Sequence, residues 1–112
     1  MNKPDRGDSM GTVEIEPTGS GAVNARLLGE IDMSNADVIT TELLGAVRAQ
    51  QDFLLDLRQL TFLDSGGVRM LNVLAARLGE HGRQLEILIE PASPVSALLR
   101  IAPVRNTVVT SS

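Results

Sequence analysis

Between Phe53 and Leu78 the hydrophobic pattern changes from that of a strand to that of a helix, and this change constrains the fold more than any other feature. Phe53-Leu54-Leu55-Asp56-Leu57 is short and mostly apolar, as expected for a central parallel strand covered on both faces. Arg58 to Leu63 reads as a short connector. Val68, Leu71, Leu74, Ala75 and Leu78 then share one stripe of an amphipathic helix. Asp64-Ser65-Gly66-Gly67 lies between the two, so a serine hydroxyl is offered where a strand end meets a helix start. Open α/β sheets handle ligands in such crevices. The free N–H groups of a helix start favour a negative group such as phosphate. The plainer reading of Ser65 is a helix N-cap.

The rest of the chain alternates in the same way. Thr12 to Glu16 places Val13 and Ile15 on one face, and Ala22 to Leu28 places Val23, Ala25 and Leu27 inward. Pro17 to Gly21 reads as a turn, so the two strands form an antiparallel hairpin. Gly29-Glu30-Ile31-Asp32 closes the second strand. Ser34 reads as an N-cap, with Asp37 completing an imperfect capping box. The helix it opens runs from Asn35 to about Gln50, with Ala36, Ile39, Leu43, Leu44 and Val47 at helical spacing. The second helix ends near Gly79 to Gly82. Leu85 to Ile89 is a strand. Ser93 and Pro94 are the cap and first residue of a short helix to about Ile101, which Pro103 stops. Asn106 to Thr110 is a weak last strand. Met33 and Met70 read as packing residues.

This order implies parallel β-α-β units with right-handed crossovers. The expected fold is α/β: a small mixed sheet, parallel at its centre with an antiparallel N-terminal strand, packed by amphipathic helices. Residues 1–11 read as a disordered tail and 12–112 as one domain.

Composition narrows the chemistry. Phe53 and Phe62 are the only aromatic residues, which makes the core aliphatic and argues against sugar binding and base stacking. A net charge of −4 argues against nucleic acid. Without cysteine there is no disulfide, no thiol catalysis and no thiolate metal site, and the single histidine, His81, reads as a loop residue at a helix end. No apolar run has the length of a membrane span, and the first residues lack the apolar middle of a signal peptide. The chain is therefore read as cytoplasmic, away from membranes. As a nucleophile Ser65 would need a nearby general base, and the glycine-rich nucleotide motifs are missing. No enzymatic activity, metal or cofactor is expected.

Three elements, in order, resemble the STAS family, the domain of bacterial anti-sigma factor antagonists. Gly29-Glu30-Ile31-Asp32 is similar to that family's second-strand ending. Leu54-Leu55-Asp56-Leu57, followed by Leu60, Phe62, Asp64, Ser65, Gly66 and Gly67, is similar to its central motif. Ser93-Pro94-Val95 with Leu98-Leu99 is similar to its third helix. Gly66 stands where the family has Ser or Ala, and Arg69 where a small residue is frequent.

The resemblance implies that Ser65 is phosphorylated by an anti-sigma factor that is also a serine kinase. The unphosphorylated form would bind that partner and release a sigma factor, and a PP2C-type phosphatase would reset the cycle. Asp64, Gly66, Gly67, Asp32, Arg69 and Asn72 are the candidate motif and partner-binding residues, in a monomer or weak dimer. The alternative is a STAS accessory subunit of a transporter or larger sensory assembly.

Overall fold

Five strands and three helices follow one another in a computed structural model that describes residues 11–17 and 21–111. They are β1 (Thr12–Pro17), β2 (Ala22–Ile31), α1 (Ala36–Ala46), β3 (Asp52–Leu63), α2 (Ser65–Gly79), β4 (Leu85–Ile89), α3 (Pro94–Ile101) and β5 (Thr107–Ser111). The segment read as a tail, up to residue 10, and the middle of the first turn lie outside the described residues. Gly11, assigned to the tail on sequence, lies against Ile31 and Ile39.

The strands form one sheet in chain order, with β1 antiparallel to β2 and every other pair parallel. Val23, Ala25, Leu27, Phe53, Leu55, Leu57, Leu85, Ile87 and Ile89 point to one face and are buried. There α1 lies against β1 and β2, α2 lies against β3 and β4, and the two helices touch. All the buried apolar side chains belong to one cluster, aliphatic apart from Phe53 and Met70. The expectation that β3 is covered on both faces does not hold fully. Leu54 and Asp56 point away from this core and are only partly buried, because they line an open concavity of about 210 Å³ with Glu14, Arg26 and Leu88.

β3 is also longer than its apolar run suggests. Residues 58–63, read as a connector, continue the strand to Leu63. Leu57, Leu60 and Leu63 are three residues apart, a spacing that a regular strand would send to alternate faces. Two register shifts correct this. While β2 advances from Arg26 to Leu28, β3 advances from Asp56 to Gln59. While β2 advances from Gly29 to Glu30, β3 advances from Leu60 to Phe62. Each shift inserts one extra residue, a β-bulge, and all three leucines stay in the core. Phe62 takes the outward position and is half exposed.

The first helix differs from expectation at both ends. Ser34 is not its cap: the Ser34 hydroxyl and N–H both donate to Asp32 Oδ1. Asn35 occupies the cap position and its carbonyl accepts from Ile39 N–H, but its side chain does not cap the helix, because its Oδ1 accepts from Asp32 N–H and its Nδ2 donates to the Glu30 carbonyl. The helix stops at Ala46 rather than Gln50. Val47 turns to extended geometry, and the Arg48 guanidinium donates to the Gly45 and Val47 carbonyls, which satisfies backbone groups that a helix end leaves open. The third helix follows expectation, with the Ser93 hydroxyl accepting from Ser96 N–H and Pro94 in the first turn. Among the described residues no helix is long and apolar enough to cross a membrane.

Candidate functional site

A single residue, Asp64, separates the end of β3 from the start of α2. Asp64 is extended, and its Oδ1 accepts from the N–H groups of Gly66 (2.8 Å) and Gly67 (3.4 Å). Asp64 is therefore the N-cap, and the helix begins at Ser65, three residues before Val68. The capping reading of Ser65 is corrected by this geometry. Ser65 is exposed, and among the described residues its hydroxyl has no hydrogen-bond partner.

The two glycines serve close approach. Neither is among the positive-φ glycines. Gly67 is buried, and a Cβ there would run into the Leu63 side chain, with Ile31 at 3.4 Å. This packs the first turn of α2 directly onto the ends of β2 and β3. At Gly66 a Cβ would come 3.1 Å from the Met33 Cα.

Because β2 and β3 are parallel, the loops that follow them meet at one sheet edge. Asp64 N–H donates to the Ile31 carbonyl (3.3 Å) and joins the two loops. Asp32 begins the neighbouring loop. The Ser34 hydroxyl, and then the Ser34 N–H, hold its carboxyl below the usual carboxylate range. Asp32 thus stays ionised beside the serine turn.

Ser65, Arg69 and Asn72 are four and three residues apart, so they share one exposed face of α2. Arg69 Nη1 lies 3.9 Å from Asp37 Oδ1 on α1, with both side chains largely in water. Such a pair contributes little. Asn72 Nδ2 donates to the Val68 carbonyl. A groove of about 330 Å³ runs between the two helices, with Asp37, Gly66, Arg69 and Val73 on its walls.

The structure thus brings Asp32, Asp64, Ser65, Gly66, Gly67 and Arg69 to one corner, with Asn72 one turn further along α2. Asp56 is elsewhere, on the open face of the sheet, where its carboxylate binds the Arg58 guanidinium. His81 lies in an exposed turn after α2.

Sequence reasoning missed Met33. It was read as a packing residue, as Met70 proves to be, yet it is 75% exposed beside Gly66. Its place directly after the Gly29 to Asp32 motif was the available signal. Among the described residues no group of three or more His, Cys, Asp or Glu side chains is placed to hold a metal ion.

Residues 18–110 match the family described as "Mlab, STAS domain". Three solved structures are similar. An anti-sigma factor antagonist from Mycobacterium paratuberculosis is 22% identical, with a TM-score of 0.67 over 87% of this chain and 86% of that one. The anti-sigma factor antagonist SpoIIAA in its unphosphorylated form is 18% identical, with a TM-score of 0.67 over 88% of each chain. The Bacillus cell fate determinant SpoIIAA in its phosphorylated form is 19% identical, with a TM-score of 0.64 over 88% of this chain and 91% of that one. At these identities the likeness establishes the fold. No curated protein sequence matches the chain.

Proposed function

We propose that this chain, which belongs to the STAS domain family, is an anti-sigma factor antagonist whose partner binding is switched off by phosphorylation of Ser65. One observation carries this reading. Asp64 does the capping, which leaves the Ser65 hydroxyl exposed and uncommitted at the first position of α2. A serine needed as a cap would give up helix stability on modification; this one does not.

The physical consequence is asymmetric. A phosphate adds roughly −1.5 to −2 charges at neutral pH. On the free protein that charge stays in water, so the fold changes little. The fold is similar to both the unphosphorylated and the phosphorylated forms of SpoIIAA, with TM-scores of 0.67 and 0.64. A partner docked over Ser65, with exposed Met33 as an apolar contact, must instead bury or repel the charge. That cost falls on the complex alone, which is what a binding switch requires. The protein itself needs no catalytic group, because the partner, an anti-sigma factor with serine kinase activity, brings the nucleotide. A phosphatase of the PP2C type restores the binding form.

Incubation of wild type and Ser65→Ala with the cognate partner and ATP tests this. Intact-mass measurement should show one phosphate on wild type and none on Ser65→Ala. Wild type left unmodified would overturn the proposed switch.

A further inference from the structure

A phosphate on Ser65 meets a helix start where, among the described residues, only the N–H of Ser65 itself is left without a partner. Asp64 Oδ1 accepts from the N–H groups of Gly66 and Gly67, and Val68 N–H is bonded to the Asp64 carbonyl. The Asp64 carboxylate also repels a dianion at the next residue. Helix termini commonly welcome phosphate, but this one has a single N–H, that of Ser65, to offer without surrendering its cap.

A cation stands one turn along. Ser65 and Arg69 are four residues apart on α2, a spacing that sets their Cβ atoms roughly 5–6 Å apart on one face. Arg69 is held only loosely at present. Among the described residues its one ion pair, with Asp37 across the groove, is 3.9 Å long, and the two side chains are 77% and 88% exposed. Asp37 offers a single negative charge. Phosphoserine offers nearly two, on three acceptor oxygens that suit a guanidinium.

We propose that Arg69 receives the phosphate on Ser65 and leaves Asp37 to do so. The inference rests on Ser65 as the phosphoacceptor. It assigns a task to the arginine that stands where the family usually has a small residue. It also extends the effect of phosphorylation beyond the modified side chain. With Arg69 drawn toward Ser65, the Asp37 carboxylate is left bare at the wall of the groove between α1 and α2. A partner that spans both helices then meets two changes, a phosphate on α2 and an uncovered acid on α1. Arg69 is in this sense a positioning residue, and the groove wall is part of the switched surface.

The test is a phosphorus NMR titration of the full chain with phosphoserine encoded at position 65. A guanidinium beside the phosphate favours the dianion, so the second phosphate ionisation in Arg69→Gln should lie higher than in wild type, by roughly 0.2–0.4 of a pH unit. Arg69→Lys should recover part of that shift. Asp37→Asn should move the ionisation downward, and most of this movement should vanish when Arg69→Gln is also present. Equal ionisation in wild type and Arg69→Gln would overturn the proposal. A downward movement of equal size with and without Arg69 would overturn the exchange of partners. Encoding the phosphoserine makes the result independent of any kinase. A partner that leaves wild-type Ser65 unmodified would count against the proposed function and not against this one.

Discussion

Met33 packs over Gly66 so closely that a Cβ on the glycine would come 3.1 Å from the Met33 Cα. This contact fastens the loop after β2 to the first turn of α2. It holds Asp32 and the exposed Met33 side chain beside Ser65, so two loops far apart in sequence present one surface.

The two glycines should respond differently to added bulk. Gly67→Ala sets a methyl group on Leu63, which is itself buried. Overpacking of that kind costs about 1–3 kcal/mol. Gly66→Ala presses instead on the exposed Met33 loop and on Asp64 Oδ1, each 3.1 Å from the new Cβ, which need yield only a few tenths of an ångström, and alanine recovers some helix propensity. Its cost should stay under about 1 kcal/mol, with amide shifts centred on the Met33 to Asn35 loop and the Asp64 to Gly67 cap. Urea unfolding and amide NMR spectra check both.

Asp64 and Ser65 should also separate. Asp64→Ala removes the acceptor for two helix N–H groups and should cost about 1 kcal/mol, while Asp64→Asn keeps most of the cap. Ser65→Ala removes no hydrogen bond and should stay within about 0.5 kcal/mol of wild type. Chemical denaturation distinguishes them; a loss at Ser65 equal to that at Asp64 would restore the serine as the cap.

The pH dependence of stability should carry the signature of Asp56. The Arg58 guanidinium hydrogen-bonds its carboxylate and is the main cause holding its pKa below the ordinary carboxylate value, with help from the Arg58 N–H and the charge of Arg26. A depressed folded-state pKa gives stability that is complete above the unfolded value, about 3.9. That stability disappears as pH falls through the folded value. Wild type should therefore lose stability below about pH 4, and Asp56→Asn should be less stable at neutral pH with a shallower acid decline. Parallel declines would remove Asp56 from the account. Asp32 titrates in the same direction.

Asn106 should prove the most sensitive polar residue at the far end of the molecule. It adopts a left-handed backbone, with φ of 59°. Its Nδ2 donates to the Ala75 and Arg83 carbonyls, and its own carbonyl accepts from Leu85 N–H. The side chain clasps α2 and the approach to β4 to the start of β5. Asn106→Ala loses both bonds and strains the backbone, a cost of about 2–3 kcal/mol. Asn106→Gly loses the bonds alone and should cost less. Thermal unfolding of the pair measures the difference.

Features with a local signal were legible in the sequence. Strict alternation in β1 and β2, the Ser93-Pro94 cap and the stripe of α2 each follow from spacing a few residues long. The far half of β3 was hidden because its inward leucines recur every third residue, and only pairing with β2 reveals the bulges that allow this. The choice between Asp64 and Ser65 as cap was hidden because both side chains can fill that role, and only the extended backbone of Asp64, with its Oδ1 on the Gly66 and Gly67 N–H groups, decides it. Ser34 lost its capping role to a rival partner, Asp32, two residues away. Met33 over Gly66 is a tertiary contact between residues 33 apart, and no local pattern encodes it. The corner of the molecule that holds Ser65 was therefore readable in its parts but not in its assembly.

Binding of the cognate anti-sigma factor to the protein with and without phosphoserine at position 65, measured by calorimetric titration, tests the central claim most directly. The unmodified protein and Ser65→Ala should bind alike, and the phosphorylated protein should bind roughly 100-fold more weakly or worse. Equal affinity for the phosphorylated and unmodified forms would contradict the account.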